Sequence, residues 1–176
     1  HQCGLVHGSK MNHGCDWNME TQTETTRAQQ AVAANLSMVT RLIDIASERA
    51  ERADRPRLVA VSKRQPDDRI NAALDAGHRV FGENRVQEAQ QRWSERRATH
   101  DDLRLHLIGA LQTNKAAEAV ALFDVIEVID RPKLARALAA EMQKANRQLD
   151  CYIQVNTGEE APVSYTHLTL PTMDSV

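Results

Sequence analysis

Lys63 is the residue whose type and place best suit covalent chemistry. It closes the apolar run Leu58-Val59-Ala60-Val61-Ser62-Lys63, and Gln65-Pro66-Asp67-Asp68 reads as a helix opening directly after it. In α/β proteins the carboxyl end of a buried strand, where strand gives way to helix, is where chemistry collects. Alternation puts the lysine side chain on the same face as Val59 and Val61. An amine leaving an apolar wall is partly desolvated, which favours its neutral form and frees the lone pair that attacks a carbonyl. The ordinary alternative is a strand-end lysine with its stem on the wall and its charge in water. Only 5 lysines stand against 17 arginines, so each lysine is worth explaining.

The elements around it repeat. Val32, Leu36, Val39, Ile43, Ala46 and Ala50 recur at steps of three and four, one apolar stripe on a helix within about residues 24–53. Short apolar runs then begin near Leu58, Arg79, Arg104, Asp124 and Cys151, and a helical pattern fills each interval. Ile70, Ala73 and Leu74 form one helix face, stopped by Gly77, which suits a left-handed cap. Val86, Ala89 and Trp93 form the next, and Ala116, Ala119 and Val120 a third. Leu134, Leu138, Glu141, Met142 and Ala145 follow Asp130, expected as an N-cap, with Pro132 in the first turn.

Strand and helix alternating at this period mean parallel strands joined by crossovers. Runs such as Val125-Ile126-Glu127-Val128-Ile129 are too apolar for a sheet with one wet face. A doubly wound sheet and a (β/α)8 TIM-type barrel both fit. The turn Ser62-Lys63-Arg64-Gln65 has no glycine, which counts against a dinucleotide fold. A barrel usually needs about 250 residues, so the expected architecture is an incomplete barrel: an N-terminal helix and about five βα units.

Parallel strands bring their carboxyl ends to one mouth. The residues there are Lys63; Gly82, Glu83 and Asn84; Gly109, Gln112 and Asn114; Asp130; and Asn156 and Thr157. The set is rich in amides and holds one amine. Glu83 could pair with Lys63 or Arg85, and a structural ion pair is its expected role. His106 lies inside its strand, where a hydrogen-bonded residue of a packed layer is the expectation over a catalytic one. Lys115 falls in the first turn of a helix, where the macrodipole disfavours a cation unless an anion is near. It is a weaker second amine.

The charge is nearly balanced, 22 basic against 24 acidic residues, so composition implies neither nucleic-acid nor membrane attraction. No run approaches a membrane span, and no leader suggests secretion. Cys3, Cys15 and Cys151 are odd in number and far apart, which fits a reduced, cytoplasmic protein. Both ends look foreign to the middle. Residues 1–18 carry His1, Cys3, His7, His13 and Cys15 at spacings of no common zinc site, so an unstructured leader or upstream translation is expected and no metal. Residues 161–176, largely "VSYTHLTLPTMDSV", read as a non-native tail. Residues 19–160 are the expected partial barrel.

The motifs "LVAVSK", "FGENRVQEA", "LHLIGALQTNK", "FDVIEVIDRPKLARAL" and "CYIQVNTGEE" occur in order over about residues 58–160. Together they resemble the pyridoxal-phosphate homeostasis protein family, which shares its fold with the N-terminal domain of alanine racemase. The resemblance implies that Lys63 forms a Schiff base with pyridoxal 5'-phosphate. It implies further that Asn84 of "GEN" sits beside the cofactor, and that His106, Gln112 and Asn114 of "HLIGALQTNK" help line the same mouth. In that family the phosphate is gripped by glycine- and serine-rich loops near the last strands, and nothing in this sequence matches them. An anchor without its anion cup predicts weak retention, and an open fifth strand predicts association.

The function expected from the resemblance is that of a carrier. It would hold pyridoxal 5'-phosphate on Lys63, deliver it to pyridoxal-phosphate-dependent apoenzymes, act as a monomer or weak dimer, and lack robust catalysis and catalytic residues. The alternative is an amino-acid racemase or decarboxylase of the same fold, which needs a further base across the cofactor. A third is an aldolase using Lys63 without cofactor.

Overall fold

The computed structural model describes residues 16–157 of the 176-residue chain. The metal-like set in residues 1–15 and the expected tail at 161–176 lie outside the described residues. The described chain divides into two compact units. One comprises residues up to 55 with 66–78, and the other residues 56–65 with everything from 79 onward.

The first unit is a pair of helices. α1 spans Asp16–Arg49, taking in the last three residues of the stretch read as a leader, and α2 spans Asp67–Asp75. Val32, Leu36, Val39 and Ile43 are half-buried as the stripe predicts, whereas Ala46 and Ala50 are exposed, so the stripe ends a turn early. The two helices pack on each other, and α2 buries Ile70, Ala72, Ala73 and Leu74. Gly77 does end α2: at φ +84° it lets its own N–H reach the Leu74 carbonyl and the His78 N–H reach Ala73.

The second unit is a five-stranded sheet with helices. In chain order it runs β1 (Ala60–Val61), β2 (Val80–Glu83), α3 (Val86–Thr99), β3 (Arg104–Leu107) and a 3-10 turn at Thr113–Lys115. It continues with α4 (Ala116–Leu122), β4 (Val125–Ile129), α5 (Pro132–Ala145) and β5 (Asp150–Ile153). All pairings are parallel, and the strand order β1-β2-β3-β4-β5 follows the chain. A doubly wound sheet reverses its order at a switch point. Unreversed order is how a barrel is wound, so the α/β reading as an incomplete TIM-type barrel holds.

Pairing partners share a face, which sorts the side chains. Phe81 stands opposite Leu105, and Glu83 opposite Leu107 and then Ile126. This face meets the helices and is dry: Leu105, Leu107 and Ile126 are fully buried, as are Trp93 of α3, Val120 of α4, and Leu134 and Leu138 of α5. The Phe81 and Trp93 rings lie 4.6 Å apart and tilted. Each such side chain contributes about 1.5–3 kcal/mol on burial. The other face carries the row Val61, Gly82, His106, Val125 and Asp150. β5 is exposed throughout.

One expected cap is corrected. α5 begins at Pro132 with Arg131 as its N-cap residue, and no side chain caps it. Asp130 instead gives its carboxylate to the Arg131 guanidinium, 2.5 Å away, since a full charge is a stronger partner than helix N–H groups.

Candidate functional site

The strand carrying Lys63 stops earlier than the sequence run suggests. Ladder pairing ends at Val61, and Ser62, Lys63, Arg64 and Gln65 make a tight turn closed by the Gln65 N–H on the Ser62 carbonyl at 3.0 Å. Arg64 sits at φ +57°, a conformation costly for a side chain with a Cβ. Lys63 itself is exposed. The apolar wall expected below it is itself half open, with Val61 46% exposed.

Two residues past the row Val61, Gly82, His106 come Lys63, Asn84 and Ile108, so the register carries Lys63 and Asn84 to neighbouring strand ends. Asn84 is half-buried. The loop after β3 presses on it: a Cβ added at Gly109 would lie 2.4 Å from the Asn84 carbonyl oxygen and 2.7 Å from its Cα. Only glycine allows that crossing. Gly82 keeps the face beneath flat, since a Cβ there would meet Val59 and Ile108 at 3.1 Å.

Gln112 and Asn114 are both exposed and lie on the loop and 3-10 turn after β3. Arg131 ties that loop to the end of β4. Its Nη2 donates to the Leu111 carbonyl at 2.8 Å and reaches Thr113 Oγ1 at 3.4 Å, while Nη1 holds Asp130. Lys115 pairs with Glu118 at 2.9 Å, the anion its place at a helix start required. Asn156 and Thr157 are exposed beyond β5.

His106 sits one row below the rim. It is 7% exposed, and its Nδ1 lies 2.5 Å from Glu127 Oε1 across the β3–β4 pair. Its Nε2 is buried with no partner among the described residues. It is a member of a packed layer and does not stand at the rim with Lys63 and Asn84.

Glu83 pairs with neither Lys63 nor Arg85; Arg85 holds Glu88 instead, at 3.0 Å. The Glu83 carboxylate is fully buried on the helix side. Its Oε1 accepts from Ser62 Oγ at 2.8 Å, Trp93 Nε1 at 3.0 Å and Arg92 Nη1 at 3.1 Å. An acid this deep needs a cation, and α3 supplies it. Sequence reasoning passed over Arg92 and Arg131. The signal for Arg92 was present: an acid at the end of an apolar strand, followed nine residues on by an arginine beside the buried Trp93 on the next helix.

The family model described as alanine racemase, N-terminal domain, matches residues 29–160. The chain belongs to that family. It is 37% identical over 138 residues to the pyridoxal phosphate homeostasis protein of Vibrio cholerae, covering 77% of this chain and 58% of that one. Among solved structures it resembles PipY of Synechococcus elongatus with PLP bound, at 40% identity and a TM-score of 0.58. That likeness covers 66% of this chain and 55% of PipY. A protein from Bifidobacterium adolescentis aligns at 29% identity and a TM-score of 0.69, covering 77% of this chain and 59% of that one. The chain thus spans about half the length of the relatives it matches. Among the described residues, no helix is long and apolar enough to cross a membrane.

Proposed function

We propose that this chain carries the anchor of a pyridoxal 5'-phosphate-binding homeostasis protein, with Lys63 as the anchoring residue. The observation that carries the reading is an exposed primary amine in a tight turn at a β-strand's carboxyl end, level with the half-buried Asn84 on the next strand. Relatives named for pyridoxal phosphate homeostasis, and PipY solved with PLP bound, support it. Bound pyridoxal 5'-phosphate supplies an aldehyde carbon, to which a lysine amine can form a C–N bond with loss of one water.

The residues fit the aldehyde and ring end of such a ligand. Lys63 offers the nucleophile. Asn84, fixed from above by Gly109, offers an amide donor and acceptor to orient a polar ring. Gln112 and Asn114 offer two further amides on the loop that Arg131 braces. His106 serves indirectly, by holding β3 against β4 through Glu127. The set is suited to binding and orienting an aldehyde rather than to turnover, so the role is carriage and delivery to apoenzymes, in the cytoplasm.

Reductive trapping tests this. Incubation with pyridoxal 5'-phosphate and borohydride should place the pyridoxyl group on Lys63 in preference to the other four lysines, and Lys63→Ala should lose that product. Labelling spread evenly over the lysines would refute the anchor. Amino-acid racemisation well above background would refute the carrier role.

A further inference from the structure

We propose that Arg92 is a positioning residue for Lys63, acting by clamping both ends of the turn that carries it. The inference rests on Lys63 being the anchor. The turn is unfavourable by itself, because Arg64 occupies the left-handed region, which side chains with a Cβ rarely adopt. Something outside it must hold it.

Arg92, one-fifth exposed on α3, does so with one guanidinium. Nη1 donates to the Ser62 carbonyl at 3.0 Å, and Nη2 donates to the Gln65 carbonyl at 3.2 Å. These are the residues on either side of Lys63 and Arg64. A planar fork with fixed spacing suits two such carbonyls, and an ammonium cannot reproduce it. Nη1 also reaches Glu83 Oε1, so the fork is tied to β2 as well as to β1. Ser62 closes the ring: its N–H donates to the Gly82 carbonyl, and its Oγ donates to Glu83 Oε1 at 2.8 Å while lying 3.3 Å from the Gly82 carbonyl oxygen. Lys63 is thus an exposed residue of a turn whose two end residues, Ser62 and Gln65, are both fastened from the helix side. The clamp fixes where the amine starts and touches neither it nor the ligand.

The test uses the full chain and its variants Arg92→Ala and Arg92→Lys. Lys63 labelling by pyridoxal 5'-phosphate and borohydride should fall about ten- to hundredfold in Arg92→Ala, the scale on which misplacing a reacting group by about 1 Å acts. Lys115, Lys133 and Lys144 should label at unchanged rates, which a merely unfolded chain would not show. Amide exchange at Gln65 should quicken at least tenfold, a reading that needs no cofactor. Unchanged Lys63 labelling with unchanged Gln65 exchange overturns the proposal. Should Arg92→Ala lose its circular-dichroism signal, Arg92→Lys decides: it keeps a charge for Glu83, loses the fork, and must show both effects. Should the parent chain not favour Lys63 at all, the anchor reading fails, and Gln65 exchange in the variants alone upholds or overturns the clamp.

Discussion

Gly109→Ala is the sharpest perturbation the site offers. The added methyl carbon would sit 2.4 Å from the Asn84 carbonyl oxygen, 2.7 Å from its Cα and 2.8 Å from its Cβ. Ordinary contact begins near 3.4 Å, so loop and strand end must part by about 1 Å. Neither side yields easily, because the obstructing atoms are mainly backbone. Asn84 follows a strand paired on both sides, and the loop is pinned at Leu111 by Arg131. Forced overpacking of this kind costs about 1–3 kcal/mol, and the rigidity of both partners puts this case in the upper half. Urea unfolding monitored by circular dichroism should give a lower midpoint at an unchanged m-value. Trapping at Lys63 should fall in the same variant, because Asn84 is displaced while the amine is untouched. A loss below about 0.5 kcal/mol, with Lys63 labelling intact, would refute the claim that this crossing sets the position of Asn84.

Two further outcomes follow from the same geometry. Trp93→Phe keeps the ring against Phe81 but removes the indole N–H from the buried Glu83 carboxylate; a lost hydrogen bond to a charged group should cost about 1.5–3 kcal/mol in chemical denaturation, and an unchanged midpoint would show that carboxylate to be otherwise satisfied. Cys151 lies on the exposed strand β5, yet the desolvation it keeps beside its partner Ile126 on β4, with the Asp150 carboxylate adding to it, pushes its thiol above the ordinary value of 9.0. The folded chain therefore holds that proton more tightly than the unfolded one. Its contribution is intact below the unfolded value and is lost as pH rises from there through the folded one. Iodoacetamide at pH 9.0, the ordinary thiol value, should alkylate Cys151 more slowly in the folded chain than in urea, read by peptide mass spectrometry, and an equal or faster folded rate would contradict this.

Much of this architecture is legible in the sequence because period and punctuation are local signals. Parallel strands register as apolar runs about 20–27 residues apart, and all five strands form at those runs. Gly77 reads correctly as a helix stop because its requirement is a backbone angle. Errors arise where a side chain chooses among partners. Asp130 resembles an N-cap in one dimension, yet the adjacent arginine outbids the helix N–H groups for its carboxylate. Glu83 has Lys63 and Arg85 as candidate partners in the sequence, but alternation sends it to the helix face, where Arg92 stands. The closed apolar wall expected beneath Lys63 is half open at the exposed Val61.

Strand alternation gives the rim its division of labour. In Ser62-Lys63 and again in Glu83-Asn84, the first residue turns to the helix side and is buried, while the second is left at the strand end, exposed or half-buried. The buried pair bond each other, Ser62 Oγ to Glu83 Oε1, so the two strand ends are locked at one level from behind. A charged group is a costly way to do this, since a buried ion pair is often no better for stability than apolar packing. What the carboxylate adds is one charged oxygen, Oε1, that accepts from Ser62, Trp93 and Arg92 together, while its buried Oε2 has no partner among the described residues. Apolar packing could have held the sheet together, but it could not fix the direction of a turn whose backbone is unfavourable. The buried acid at the end of an otherwise apolar strand thus ties the turn that carries Lys63 to the strand that ends in Asn84.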